Sequence, residues 1–444
     1  MITAPICEFV RRYRYSGALR MHMPGHKGTA LLGPEPLDLT EIEGADVLYH
    51  AEGIIRESEA NAAALFGTKK TVYSAEGSSL CIRAMLYLAL LHARANHKKP
   101  VIAAGRNAHK VFMTAAALLD LDIRWIYGTE SVISCAITPA QLEDVLVSEN
   151  PAAVYITSPD YLGNIADIKS LSAVCKKHGV LLLVDNAHGA YLRFLPEPMH
   201  PMQLGADICC DSAHKTLPVL TGGAYLHIAH GTPDMLAQRA ESAMALFAST
   251  SPSYLILQSL DAMNPLLSTS FPAQLKACAE RLDTLKAKLR AHGYALCGEE
   301  RTKLCLLPKS FGYTGTALAE ILTHSNIYCE FSDADHLVMM FTPETTPADF
   351  ARLKRALLAV LPAPAILSKP PVPPHAERVL SPREALFSPS ETLPLSECEN
   401  RILADANVSC PPAVPLAVCG ERLTPEVISA MEYYGTEHCT VVVE

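Results

Sequence analysis

The sequence predicts an α/β fold: a large domain on a mixed, mostly parallel sheet, then a smaller α+β domain and a small C-terminal domain. Three observations predict it. From about residue 70 to 230, short apolar runs rich in β-branched residues alternate with longer amphipathic stretches, the pattern of strands and the helices that cover them. After residue 262 one long helical stretch leads into short strands, which marks a second architecture. Between Leu361 and Pro374 prolines crowd the chain, and proline lacks an N–H and fixes φ, so neither a helix nor a strand ladder passes through.

These signals divide the 444 residues into an N-terminal arm (1–50), the large domain (51–262), the small domain (263–360), the linker (361–374) and the C-terminal domain (375–444). A chain of this length exceeds one hydrophobic core. In the large domain strands are expected at 100–104, 122–127, 152–157, 179–184, 206–210 and 223–228, and helices at 78–95, 108–120, 139–149 and 167–178. Thr138 before Pro139 is a helix-start signal, and Asp167 can cap the helix that runs to His178. Beyond 262 the pattern predicts helices over 272–292, 315–325 and 347–361, and strands over 303–307, 327–331 and 336–341.

Composition excludes several functions. The formal charge is −9 and no basic block is long enough to track a phosphate backbone, so a nucleic-acid partner is not expected. No apolar run is long enough to span a bilayer and the N-terminus lacks a basic region followed by an apolar core, so no membrane partner is expected. The 14 cysteines are scattered without Cys-x-x-Cys spacing, which argues against a metal site and for reduced thiols in a cytoplasmic protein.

The chemistry gathers at two strand ends. Gly179-Val-Leu-Leu-Leu-Val-Asp185 ends in an acid, and Ile208-Cys-Cys-Asp-Ser-Ala-His-Lys215 sets a lysine where a strand gives way to a polar turn. A lysine supplies a Schiff base and an acid at a neighbouring strand end keeps a pyridine nitrogen protonated, so the pair points to pyridoxal 5'-phosphate. Four His-Lys dipeptides occur, at 26–27, 97–98, 109–110 and 214–215. Lys98 sits in a solvated helix end, Lys27 in a Pro-Gly turn without a preceding strand, and Lys110 opens a helix. Lys215 alone follows an apolar strand downstream of the Asp185 strand, with a Thr-Gly-Gly turn beyond it that permits close backbone approach. By itself Asp185 also reads as a helix N-cap. Ser74-Ala-Glu-Gly-Ser78-Ser79 precedes an apolar helix and reads either as a phosphate cradle or as an ordinary serine-capped helix start. His109 follows a strand and reads either as a ring-stacking residue or as structural.

Further motifs extend in order over most of the chain: Met21-His-Met-Pro-Gly-His-Lys-Gly28, Asp38-Leu-Thr-Glu-Ile-Glu-Gly-Ala-Asp46, Asp211-Ser-Ala-His-Lys-Thr-Leu217 and Cys410-Pro-Pro-Ala-Val-Pro-Leu-Ala-Val-Cys-Gly-Glu421. With them the chain resembles the bacterial pyridoxal-phosphate-dependent ornithine/lysine/arginine decarboxylases, of fold-type-I (aspartate aminotransferase-like) architecture. The resemblance implies that Lys215 carries the cofactor, Asp185 pairs with the ring nitrogen and His109 stacks on the ring. It also implies that Ser78, Ser79, Ser212 and His214 surround the phosphate and that His188 lies near the cofactor. The Ser249–Tyr254 segment looks like one that reaches a neighbouring subunit's phosphate, which implies a homodimer with shared active sites. Three departures stand out: the altered Ser74–Ser79 loop, Ala413 and Cys419 in place of a glycine and a proline, and the lack of a receiver-like N-terminal domain, which suggests the shorter biosynthetic branch.

The implied reaction is decarboxylation of a basic L-amino acid, arginine, lysine or ornithine, to the corresponding amine. Transamination or a non-enzymatic descendant of the fold are the alternatives. The candidate partners for the distal cation are Glu41, Glu43, Asp46, Glu330, Asp333 and Glu421.

Overall fold

The computed structural model describes residues 2–128, 134–372, 375–406 and 415–443. Residues 410–414 of the C-terminal motif, with Ala413, and 373–374 of the linker therefore lie outside the described residues. Two compact units divide the chain: Met1–Lys99 with Ala152–Val154 and Ile168–Leu275, and Pro100–Pro151 with Tyr155–Asp167 and Lys276–Glu444.

The expected mixed, mostly parallel sheet is present, with seven strands among the described residues. They are β1 (Lys70–Ser74), β2 (Val101–Gly105), β3 (Asp122–Ile126), β4 (Ala153–Thr157), β5 (Leu181–Asp185), β6 (Ile208–Asp211) and β7 (Ala224–Ile228), in the order β1-β7-β6-β5-β4-β2-β3. The β2–β3 and β5–β6 pairs are parallel, whereas β7 runs antiparallel to β1 and β6. All six strands expected in this region form, and β1 joins them at an edge. Helix Pro139–Glu149 starts with the expected Thr138 cap, in a reciprocal capping box with Gln141.

In the first unit β5, β6 and β7 are buried along their whole length, as expected of near-continuous apolar runs. Strand alternation then decides where the polar residues at their ends point. Asp185 pairs in register with Cys210, and the Cys210 thiol lies 3.6 Å from Asp185 Oδ1. The Cys209 thiol instead lies 3.6 Å from Asp211 Oδ1. Asp185 and Cys210 thus share one face of the sheet, and Cys209 and Asp211 the other.

The second unit contains a four-stranded antiparallel sheet of β8 (Ala295–Cys297), β9 (Lys303–Leu307), β10 (Phe331–Ser332) and β11 (Leu337–Met340), in the order β10-β11-β9-β8. Its alternation supplies two cores. Leu304, Leu306, Leu337 and Met339 face helices Gly315–Thr323 and Pro347–Ala359, with Leu318, Leu322, Leu353 and Leu357 in the same cluster. Cys305 and Val338 face the opposite way, onto Leu395, Leu403, Leu423 and Val441 of the C-terminal segment. Each fully buried leucine here contributes about 2 kcal/mol of transfer free energy. A two-stranded antiparallel ladder, β12 (Ser390–Pro394) with β13 (His438–Val442), completes that segment.

The strand expected over 327–331 is a correction. Only Phe331–Ser332 pair with β11, because Asn326 adopts a positive φ of 51° and the Ile327 N–H returns to Leu322 O at the end of the preceding helix. That helix termination consumes the backbone donor a strand would use.

Candidate active site

Parallel β5 and β6 end side by side, and in an open α/β sheet the carboxyl ends of strands are where ligands bind. Asp185 closes β5 and is 2% exposed. Its Oδ1 accepts the Ala187 N–H at 3.2 Å, in a turn rather than at a helix start, because the next helical turn begins at Ala190. Strand β6 passes through Ser212 into the single turn Ala213–Thr216, which carries Lys215. Lys215 Nζ lies 3.1 Å from His188 Nε2, so the structure joins the lysine directly to the loop after Asp185.

Behind the lysine, Ser212 Oγ and Ser78 Oγ are 2.6 Å apart, which brings the Lys215 turn to the first residues of helix Gly77–Ala95. The serine-capped reading of that helix fails: its cap position is Glu76, and no side chain caps it. Instead Ser74 Oγ donates to Gly77 O, and Glu76 accepts the Ser249 N–H at 2.7 Å. The Thr-Gly-Gly turn makes the expected close approach. Gly222 O accepts the Gly77 N–H at 2.7 Å, and a Cβ on Gly222, at φ +100°, would sit 2.9 Å from Ala75 O. Ser79 is the next residue of the same helix, half-buried like Ser78. His214 Nδ1 lies 3.1 Å from Gly223 O; burial, with Lys215 nearby, lowers its pKa, so the neutral ring donates from Nδ1 and keeps Nε2 as an acceptor.

Six of the predicted site residues besides Lys215, namely Ser78, Ser79, Asp185, His188, Ser212 and His214, therefore belong to the first unit with it. His109 belongs to the second, where it caps helix Lys110–Leu119 and its Nδ1 accepts the Val111 N–H at 3.2 Å. The Ser249–Tyr254 segment precedes helix Tyr254–Ser268, whose cap position, Ser253, makes no side-chain cap bond.

Several candidate acids are engaged elsewhere. Asp46 accepts the backbone N–H groups of Glu52, Gly53, Ile55 and Arg56. Glu421 is 1% exposed and pairs with Arg106 at 3.0 Å, Asp333 accepts the backbone N–H groups of Asp335 and His336, and Glu330 accepts the Tyr161 hydroxyl at 2.8 Å. Glu41 and Glu43 are exposed on the arm.

One constellation escaped the sequence reading. Asp211 is completely buried, and its Oδ2 lies 2.9 Å from His200 Nε2 and 3.2 Å from His227 Nε2, while its Oδ1 accepts Asn186 Nδ2 at 2.7 Å. The available signal was an acid and a histidine inside otherwise apolar strands, Asp211 in β6 and His227 in β7, which the antiparallel register sets two pairs apart and therefore on the same face. His200, Cys209 and Asp211 also stand close enough to suggest a metal site. The ring orientations argue otherwise. His200 Nδ1 accepts the Met202 N–H, which leaves the proton on Nε2 and removes that lone pair from ligation.

Among the described residues no helix is long and apolar enough to cross a membrane. The profile of the Orn/Lys/Arg decarboxylase major domain matches residues 4–294. An arginine decarboxylase of Bacillus subtilis (strain 168) is 31% identical over 96% of this chain and 92% of its own length. One of Halalkalibacterium halodurans is 28% identical over 95% and 91%. Among solved structures, a lysine decarboxylase of Francisella novicida superposes with a TM-score of 0.79 at 16% identity, covering all of this chain and 81% of its own. The constitutive lysine decarboxylase of E. coli gives 0.78 at 16% identity, over 99% and 81%.

Proposed function

The chain belongs to the Orn/Lys/Arg decarboxylase family, and from that premise we propose that it decarboxylates L-arginine with pyridoxal 5'-phosphate held on Lys215. The family makes it a carboxy-lyase acting on a basic amino acid. Arginine is favoured over lysine because two relatives that align over more than nine-tenths of the chain are named arginine decarboxylases.

The observation that carries the reading is the grouping of Lys215, His188 and Asp185 at the ends of two adjacent parallel strands. The residues fit the cofactor. Helix Gly77–Ala95 begins without a side-chain cap, a Cβ on Gly77, at φ +73°, would meet no atom within 4 Å, and the Ser78 and Ser212 hydroxyls stand 2.6 Å apart at its first turn, donors of the kind a phosphate takes. When bound, the cofactor supplies an electron sink for the pair left at Cα when CO2 departs.

The chain's own groups supply the rest. Lys215 would offer the amine that holds the cofactor. Asp185, buried at the end of β5, would pair with the ring nitrogen and favour its protonated form. His188, 3.1 Å from the lysine nitrogen, accepts and returns a proton there. Ser78, Ser79, Ser212 and His214 would hold the phosphate, and His109 is the residue the resemblance assigns to the ring. The rival transamination needs an arginine for the substrate carboxylate; Arg352 of helix Pro347–Ala359 donates to Ser325 O instead.

The enzyme is read as a cytoplasmic homodimer with shared sites through Ser249–Tyr254 and with the domain limits expected above. Support comes from the arm, where Leu19, Met21, Met23, Leu31 and Leu32 are 70–91% exposed and need a partner surface. The cytoplasm suits a chain whose described cysteines are all free thiols. Incubation of the protein and cofactor with arginine, lysine and ornithine separately tests the reaction. CO2 and agmatine from arginine are expected; keto-acid without CO2 would overturn the reading, and faster CO2 release from lysine or ornithine would overturn the choice of arginine.

A further inference from the structure

We propose that Asp211 is a positioning residue for this site, a buried carboxylate that fixes the spacing of Asp185 and the Lys215 turn from the opposite face of the sheet. The inference rests on the assignment of Lys215 and Asp185 above.

The geometry is a hub. Asp211 closes β6 one residue before Ser212, and Asn186 follows Asp185 at the end of β5. These two strand ends are joined twice, by Asn186 N–H to Cys210 O at 3.0 Å and by Asn186 Nδ2 to Asp211 Oδ1 at 2.7 Å. The other oxygen binds His227 of β7, whose Nδ1 lies 2.8 Å from Thr71 of β1, itself 2.8 Å from Thr68. It also binds His200, the cap residue of the short helix Pro201–Leu204. One carboxylate thereby ties four adjacent strands together just where they hand over to the site.

Protonation is fixed by the second nitrogen of each ring. His200 Nδ1 accepts a backbone N–H, which turns its Nε2–H toward Asp211, and burial lowers the pKa of His227. Burial opposes a charge on Asp211, yet His200 and His227 hold its carboxyl well below the usual range. With Asn186 and the Cys209 thiol, the carboxylate receives four donors, which leaves a charge-assisted and directional network. Asn186 Oδ1 is buried without a partner, so the side chain is oriented by Asp211 alone. Stability of the fold by itself does not require an acid there: an apolar core of equal volume would serve. What the acid adds is a fixed register between the two turns that present Asp185 and Ser212 to the front face.

The test is a cycle of Asp211→Asn, Asn186→Asp and the double exchange. In Asp211→Asn the new amide turns its oxygen to the histidines and a donor to Asn186, which already donates; the exchange restores one donor and one acceptor. Affinity of the apoprotein for pyridoxal phosphate is read by absorbance titration, and melting of the apoprotein by circular dichroism. Asp211→Asn is expected to bind the cofactor at least tenfold more weakly, and the exchange at least threefold more tightly than Asp211→Asn. Cofactor affinity within twofold of the wild type, whatever the change in melting, would overturn the proposal by making the hub purely structural. If Asp211→Asn does not fold, His227→Gln, which perturbs one donor, is read by the same criteria. Lys215→Ala separates the two readings. If it retains a borohydride-reducible bond to the cofactor, the site assignment fails. If it behaves as assigned while Asp211→Asn binds normally, only the positioning role fails.

Discussion

Two carboxylates one strand apart, Asp185 and Asp211, occupy opposite faces of the same sheet edge in contrasting surroundings. Asp185 sits with the Cys210 thiol and the Ala187 N–H on the face that carries Ser212 and Lys215. Asp211 is closed in by two imidazoles, an amide and a thiol on the other face. Strand alternation alone separates them: Cys210 and Ser212 point forward, Cys209 and Asp211 back. The difference teaches that one short peptide, Cys209 to Lys215, presents side chains to both faces of the sheet edge, the lysine turn on one and the Asp211 hub on the other. A third buried acid of the first unit, Glu59, completes the contrast. It accepts the Tyr73 N–H at 2.8 Å, and burial pushes its carboxyl up to about 8. Donors, more than burial, decide whether a buried acid here keeps its charge.

The largest effect expected is on the front face. Lys215→Ala should lower CO2 release by roughly 10³-fold or more, since it removes the group proposed to carry the cofactor; single-turnover rates check this. Asp185→Ala should follow, with kcat lower by about 10²–10⁴ and less change in arginine KM, because a ring nitrogen's proton matters chiefly when charge develops. An equal loss on replacing Asp185 by Asn or by Ala would locate the effect in charge rather than volume. On the rear face, Asp211→Ala leaves the donors of His200, His227 and Asn186 unpaired and should cost about 3 kcal/mol in urea unfolding of the apoprotein. A cost under about 0.5 kcal/mol would erase the distinction between the faces.

The smallest effect is a slope against pH. Glu59 has a folded value above its ordinary one of 4.5, so the stability tied to its proton is fully present below that value and is lost as pH rises toward about 8. Asp211 has the opposite sign: its contribution is present above the ordinary carboxylate value and is lost only in strong acid. Glu59→Gln keeps an acceptor for Tyr73 N–H and should flatten the decline of melting temperature between about pH 5 and 8. An unchanged slope would remove Glu59 from the contrast.

Much of this was legible in the sequence because the decisive segments carry strong local signals. The runs ending at Asp185 and Asp211 are apolar, short and closed by polar turns, so strands β5 and β6 and the lysine turn were read within a residue or two. Thr138-Pro139 announced a helix, and the helix formed. Edge strand β1, Lys70–Ser74, lacks such a run, having lysine and serine at its ends, and was overlooked. Ile327–Phe331 has strand composition, but a helix end claimed the Ile327 donor. The Asp211 hub was illegible for a different reason. Its members span residues 68 to 227, and only the antiparallel β7 and the His200 turn bring them to one carboxylate. The engagement of Asp46 and Glu421 was illegible for the same cause, since nothing local announces that Asp46 accepts the first N–H groups of helix Ile54–Phe66 or that Arg106 pairs with Glu421.

The central claim is that the Lys215 turn holds the cofactor on the front of this edge. Borohydride reduction of the holoenzyme, proteolysis and mapping of the pyridoxyl-bearing peptide test it most directly. The account predicts the label on Lys215, within the peptide that contains Asp211-Ser-Ala-His. A label on Lys27, Lys98 or Lys110 instead would contradict it.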